Sequence, residues 1–357
     1  MGAARFFFAF VVVIDHWRSV VLQPILGIDI TPDQERIVKL GFNGGYAVIF
    51  FYVISGFLIT YTLMTNYEDN VGGSLKFYRN RAIRIFSLYW PMIVLSFIVY
   101  PPGLAMFIAA AAADKFTNLF ILGVDWRVAF ATYPIAHFDA APFGLHQAWT
   151  LGAELFFYLV APLVVRSWKI TAALLAGSFA LRMLFVATLS YDDVWTYYFA
   201  PSTFVFFMIG AFSCQTAQYI PLLKNPVVGF LALTCSVIIM ASGPFGAFDS
   251  PRLWITVLCF GASLPGLFAV TKDFRPLNLI GDLSYPLYLV HGIVLVALWK
   301  DLVSLAAFSF PANKALAGDA SIVMFVGIAI VASIVVHWLI ERPVAKLMHQ
   351  ASRLVCN

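Results

Sequence analysis

The sequence predicts an all-α, polytopic membrane protein: a transmembrane bundle of about ten helical spans with both termini cytoplasmic. Three observations predict it. Of 357 residues, 62% are hydrophobic and 11% are charged, where an ordinary soluble domain carries about 25% charged residues. A soluble chain of this length cannot hide that much apolar surface in a core and still present a charged exterior. Apolar windows of about 20 residues, the length that crosses a bilayer, recur along the chain. Finally, the basic residues concentrate in alternate loops, as topology determinants do.

The predicted spans cover residues 6–26, 44–65, 84–100, 146–166, 170–189, 201–217, 226–243, 252–270, 279–300 and 320–340. The first lacks a small-residue cleavage site and reads as a retained signal-anchor helix. The segment 103–123, an Ala-rich run from Leu104 to Ala113 followed by Asp114 and Lys115, is expected to be extracytoplasmic or re-entrant. Counting it as an eleventh span would move Arg166, Lys169, Lys272, Arg275 and the basic tail to the outside, against the positive-inside rule. Residues 1–357 read as a single integral-membrane domain without a long polar stretch, linker or internal repeat. The region 101–145, with Trp126, Tyr133, His137, Asp139 and neighbouring His146, is expected outside, either as a cap over a polar site or as a packed loop. Asp29, Asp192, Asp193 and Asp249 fall on the same side.

The net charge of +4 is scattered, which argues against nucleic acid as a partner. The four cysteines lack metal-ligand or disulfide-framework spacing. No metal site is predicted.

Charges inside spans cost several kcal/mol, so each needs a partner or a role. The first span carries Asp15, His16 and Arg18 within one turn. Glu154, Arg182, Asp282, His291, His337 and Glu341 lie in later spans. Such a set implies a polar cavity within the bundle, the alternative being structural salt bridges. Arg81 and Arg84 are three residues apart and share one helical face. At the start of the third span, two guanidiniums beside helix amides suit a phosphate or pyrophosphate group. The alternative is that they serve as topology determinants and lipid-headgroup contacts.

Several motifs then occur in a fixed order. Arg5 precedes His16 by eleven residues. Phe51-Tyr52-Val53-Ile54-Ser55-Gly56-Phe57 lies on the second span. Arg81-Ala82-Ile83-Arg84-Ile85 and Leu88-Tyr89-Trp90 enter the third. Trp149-Thr150-Leu151 with Glu154, Phe157 and Tyr158 forms the fourth. Gly281 with Ser284-Tyr285-Pro286-Leu287-Tyr288-Leu289-Val290-His291, and Glu341-Arg342-Pro343, close the series. Together these resemble the integral-membrane acyltransferase-3 family, the bacterial sugar and exopolysaccharide O-acyltransferases. Ile49, Ser87 and Leu155 depart from the residues common there, and the soluble hydrolase-like domain fused to some members is not expected.

The resemblance implies a transferase of the bacterial cytoplasmic (inner) membrane. It would move an acyl group, usually acetyl, from cytoplasmic acyl-CoA to a hydroxyl on an extracytoplasmic glycan or lipid-linked saccharide. No metal is implied. Arg5, Arg81 and Arg84 would bind the CoA phosphates. His16 would act as general base or as covalent acyl carrier. Asp15 or Glu154 would orient its ring, Glu154 being better placed because Asp15, adjacent in sequence, points about 100° away. Arg18 or Arg182 would meet the oxyanion, and Trp149, Tyr285 and His291 would contact substrate. Intramembrane His, Asp and Arg also make proton relays, so a proton-coupled transporter or flippase is the alternative. Transporter folds commonly show repeats, and none is seen here.

Overall fold

The computed structural model describes residues 1–19, 44–130, 145–189, 194–242, 249–309 and 314–355. The described residues contain helices and turns and no strand. The first helices are α1 (Gly2–Trp17), α2 (Gly44–Asn66), α3 (Val71–Val99), α4 (Pro101–Ala109), α5 (Ala112–Phe120) and α6 (Val124–Ala129). They are followed by α7 (Trp149–Val164), α8 (Trp168–Thr188), α9 (Ala200–Tyr219), α10 (Pro226–Ala241) and α11 (Pro251–Thr271). The chain closes with α12 (Arg275–Asp282), α13 (Ser284–Ser309), α14 (Lys314–Val336) and α15 (Arg342–Val355). Six described stretches are long and apolar enough to cross a membrane: Gly44–Asn66, Val71–Val99, Trp168–Thr188, Pro251–Thr271, Arg275–Trp299 and Ser321–Ser352. Trp149–Val164 and Pro226–Ala241 are shorter apolar helices. The chain is a multi-pass, all-α membrane protein.

Polar and proline residues punctuate the helices. Asn70 caps α3 by accepting from Gly73 N at 2.7 Å, and Asn225 caps α10 by accepting from Val227 N at 2.8 Å. Pro226 and Pro251 occupy first-turn positions of α10 and α11, where no helical N–H is lost. The 103–123 segment forms two nine-residue helices, α4 and α5. Each is too short to cross a bilayer. Ala110 and Ala111 turn extended between them, and Ile121 ends α5 with a left-handed φ of 62°.

Helices α2 and α9 form the centre of the bundle. Two glycines set their separation. A Cβ on Gly56 would lie 2.0 Å from the Phe207 carbonyl oxygen, and one on Gly210 would lie 1.9 Å from that of Val53. The backbones therefore touch, as small residues permit between membrane helices. Around this pair, α1 packs on α2, α12 and α13, while α13 also packs on α3 and α14.

The peripheral helices are inverted relative to soluble ones. On α8 the buried residues are Thr171, Ser178 and Arg182, and on α10 they are Gly229 and Ser236. Apolar side chains face outward because lipid accepts them, and polar groups turn inward to find partners.

Candidate active site between helices α1, α7 and α13

His16 lies in the last turn of α1 and His291 in the second turn of α13. His16 Nδ1 is 2.8 Å from His291 Nε2, with ring centroids 5.0 Å apart. His291 is fully buried, and its Nδ1 lies 3.1 Å from the Leu287 carbonyl oxygen one turn earlier.

The start of α7 holds α13 at this level. Gln147 Nε2 donates to the Leu289 carbonyl at 3.0 Å and to that of Tyr288 at 3.2 Å. Thr150 Oγ1 shares a hydrogen bond of 2.5 Å with the Tyr288 hydroxyl, which also bonds the Gln147 carbonyl. Gly292 admits this grip, because a Cβ there would meet Gln147 Oε1 at 2.6 Å.

Beside Tyr288 lies a cavity of about 60 Å³, lined by Arg5, Tyr52, Ser55, Glu154, Tyr285 and Tyr288 among others. Glu154 Oε1 accepts from Ser55 Oγ at 2.9 Å and from the Tyr158 hydroxyl at 2.5 Å. The Tyr285 hydroxyl donates to the Ile85 carbonyl at 2.8 Å, tying α13 to α3.

A second, wider cavity of about 500 Å³ opens where α1, α3 and α15 meet. Arg5, Arg81, Arg84 and Arg342 line it with Asp282, Glu341, His337 and His349. Four guanidiniums face two carboxylates, so the lining is electropositive. Glu341 is engaged by His337 at 2.6 Å and by Arg84 at 3.8 Å. A π-helical turn over His337–Glu341 buries both its end residues, a feature often found at functional sites. Arg342 lies 3.9 Å over the Trp338 ring. Arg81 Nε is buried without a hydrogen-bond partner among the described residues. Arg5 lines both cavities.

The family described as an acyltransferase domain matches residues 1–342. The chain belongs to the acyltransferase-3 family. It is similar to the peptidoglycan O-acetyltransferase OatA of Listeria monocytogenes, 26% identical over 307 residues that cover 74% of this chain and 49% of that protein. It also resembles the nodulation protein 10 of Rhizobium leguminosarum bv. viciae, 26% identical over 265 residues, 70% of this chain and 71% of that one. The O-acetyltransferase OatA of Staphylococcus aureus is 27% identical over 306 residues, 76% of this chain and 49% of the relative. The chain thus spans about half the length of the OatA proteins it matches. No solved structure matches it significantly.

Within this acyltransferase-3 chain, the structure brings some of the expected residues together and separates others. Arg5, Arg81 and Arg84 share the wide cavity, and His16 meets His291. The Glu154 carboxylate is bonded to Ser55 and Tyr158, and His16 Nδ1 meets His291 Nε2. Asp15 is turned to Arg18 at 2.7 Å and accepts from the Gly44 backbone N–H. Arg182 is buried: its Nε lies 2.5 Å from Asp249, and it donates to the Thr196 carbonyl. Trp149 contacts the rings of Tyr197 and Tyr198, at 5.0 and 4.4 Å between centroids.

Helix amides do not add donors to Arg81 and Arg84, contrary to expectation. Helix α3 begins at Val71, so its free N–H groups lie about 15 Å from Arg81 along the axis. Arg342 and His349 from α15 complete that cavity instead. Arg342, Ser55, Tyr288 and Gln147 also line or brace these cavities, beyond the residues expected from the sequence. Arg342, Ser55 and Tyr288 stand inside the quoted motifs, which is the available signal, whereas Gln147 lies outside them and carries none. Among the described residues no three His, Cys, Asp or Glu side chains gather to hold a metal. Tyr133, His137, Asp139, Asp192, Asp193 and Asp29 lie outside the described residues, as does the side chain of His146.

Proposed function

We propose that this chain is a membrane-embedded O-acyltransferase of the bacterial cytoplasmic membrane. It moves an acyl group, acetyl in the first instance, from cytoplasmic acyl-CoA to a hydroxyl of an extracytoplasmic glycan or lipid-linked saccharide. One observation carries the reading: Arg5 is a wall of both cavities. The guanidinium-lined chamber and the narrow pocket beside Tyr288 and Glu154 are therefore neighbours, and Tyr288 stands three residues before His291 on α13. The O-acetyltransferase names of the relatives agree with it.

The wide cavity fits the nucleotide end of the donor. Its four guanidiniums offer charge-assisted donors to phosphates, and the buried Arg81 Nε is a donor awaiting an acceptor. From Arg5 to His16 the helix rises about 16 Å, a gap for the extended pantetheine arm. Glu154, held by Ser55 and Tyr158, lines the narrow cavity with Arg5.

At the far end His16 acts as general base. The acceptor hydroxyl gives its proton to His16 as its oxygen attacks the thioester carbonyl carbon, forming a C–O bond and a tetrahedral oxyanion. Collapse breaks the C–S bond. The departing sulfur takes the proton back from His16, leaving acylated glycan, CoA thiol and neutral imidazole. Arg18 and Arg182, paired with Asp15 and Asp249, play no part in this scheme.

Mass spectrometry of envelope glycans from strains with and without this gene tests the proposal. One glycan class bearing an acyl group only when the protein is made is the expected result. Identical glycan profiles despite full membrane expression would contradict it.

A further inference from the structure

We infer that His291 is the positioning residue that fixes which nitrogen of His16 takes the acceptor proton, and that this nitrogen is Nε2. The inference rests on the general-base role proposed for His16 and goes beyond it.

Four polar atoms stand in sequence: His16 Nδ1, His291 Nε2, His291 Nδ1 and the Leu287 carbonyl oxygen. A carbonyl oxygen only accepts, so the 3.1 Å contact from His291 Nδ1 to the Leu287 carbonyl is a hydrogen bond only when Nδ1 bears the proton. In the neutral ring, His291 Nε2 is then an acceptor. His16 Nδ1, 2.8 Å away, must be the donor. With Nδ1 protonated, the lone pair of neutral His16 is on Nε2. The reverse order, His291 Nε2 donating to His16, would turn the bare His291 Nδ1 toward the Leu287 oxygen and face one lone pair with another. Tautomers of paired histidines are set in this way by the outermost fixed acceptor.

That outermost acceptor is itself held in place. Leu287 begins the turn of α13 that Gln147 grips at the Tyr288 and Leu289 carbonyls, and Gly292 lets Gln147 lie against the helix just beyond His291. His291 is fully buried and bonded at both ring nitrogens, so its ring has no other place to go.

The pair also serves the step that follows. When His16 Nε2 takes the proton, the ring becomes a cation that still donates Nδ1–H to His291 Nε2, and the bond becomes charge-assisted. A buried carboxylate does this in a Ser-His-Asp triad. Here a neutral imidazole does it, which avoids placing another charge deep in the bundle.

The test compares His291→Gln with His291→Met in the full-length protein, using labelled acetyl-CoA as donor and isolated envelope glycan as acceptor. Gln places an oxygen near the position of Nε2 and can accept from His16; Met has similar bulk and cannot. Loss of a tautomer-setting partner costs up to about 10⁴-fold in a hydrolase triad. The Met variant should therefore lose at least about 100-fold in kcat, while Gln stays within about tenfold of the parent. Acetyl-CoA affinity should change less than about twofold in both, since neither touches the arginine cavity. In the unsubstituted protein, ¹⁵N spectra of labelled histidines should show His16 protonated at Nδ1 and bare at Nε2, its signals identified by their disappearance in His16→Ala.

Equal losses in Gln and Met, an active Met variant, or a proton on His16 Nε2 in the unsubstituted protein would each overturn the inference. His16→Ala separates its failure from that of the proposed function. An inactive His16→Ala beside an active His291→Met sinks only the positioning role; an active His16→Ala sinks the catalytic role of His16 itself.

Discussion

Arg182 Nε lies 2.5 Å from Asp249 Oδ1, and both side chains are fully shielded from solvent. The guanidinium also donates to the Thr196 carbonyl and lies 4.9 Å over the Phe206 ring. This pair ties α8 to the entry of α11 and to the π-helical turn at Val194–Tyr198. Removing one partner of a buried ion pair costs about 3–5 kcal/mol, whereas replacing both by apolar groups is often neutral. Arg182→Ala should therefore lower the thermal unfolding temperature in detergent sharply, and Arg182→Met with Asp249→Leu should restore most of it. Acyl transfer per folded molecule should be unchanged in the double variant. A stable Arg182→Ala protein that has lost transfer would return Arg182 to the reaction.

The contact of α2 with α9 gives a second test. Gly210→Ala places a methyl 1.9 Å from the Val53 carbonyl oxygen, and the helices must separate. Folded yield in detergent should collapse. Gly177→Ala and Gly327→Ala meet nothing within 4 Å, so each should be neutral or raise stability by up to about 1 kcal/mol through helix propensity. Fluorescence-detected size exclusion across a temperature ramp reads all three. A normally folded Gly210→Ala protein would refute the close backbone crossing.

Arg81 should matter to the donor and little to the fold. A hydrogen bond to a charged group contributes about 1.5–3 kcal/mol, so Arg81→Ala should weaken acetyl-CoA binding roughly 10- to 100-fold, with a gentler salt dependence. Arg81→Lys should recover only part, because the ammonium lacks the planar fork. Equilibrium dialysis with labelled acetyl-CoA measures both. Unchanged affinity would return Arg81 to a role in topology alone.

Tyr288→Phe removes the hydroxyl that joins Thr150 and the Gln147 carbonyl to α13. One neutral hydrogen bond contributes about 1 kcal/mol, so the protein should remain folded and slightly less stable. The α7 grip on the His291 turn should loosen, lowering kcat with acetyl-CoA affinity preserved. Steady-state transfer assays that show an unchanged kcat would contradict the clamp.

Much of this architecture is legible in the sequence because hydropathy reports which residues face lipid. It marked α2, α8, α9 and α11 within a few residues. It was poorest where helix and membrane part company. Helix α3 starts at Val71, capped by Asn70, but its first three turns carry Lys76, Arg79 and Arg81 and so do not register as apolar. The break at Ala110 and Ala111 is likewise silent, alanine being the strongest helix former. Within the site, residue types were readable and partners were not. Arg182 and Glu154 were marked as buried charges, but Asp249 is 67 residues from Arg182 and Ser55 is 99 from Glu154. His16 and His291, 275 residues apart, were each visible as polar residues in apolar helices. Their direct hydrogen bond was not.

The central claim is that His16 carries acyl transfer across this bundle. Inverted membrane vesicles containing the protein, supplied on the exposed cytoplasmic face with labelled acetyl-CoA, test it most directly. Base-labile label should appear on lumenal glycan with the unsubstituted protein. With His16→Ala at equal membrane abundance it should fall to background, while acetyl-CoA binding persists. Label transferred equally by His16→Ala would contradict the account.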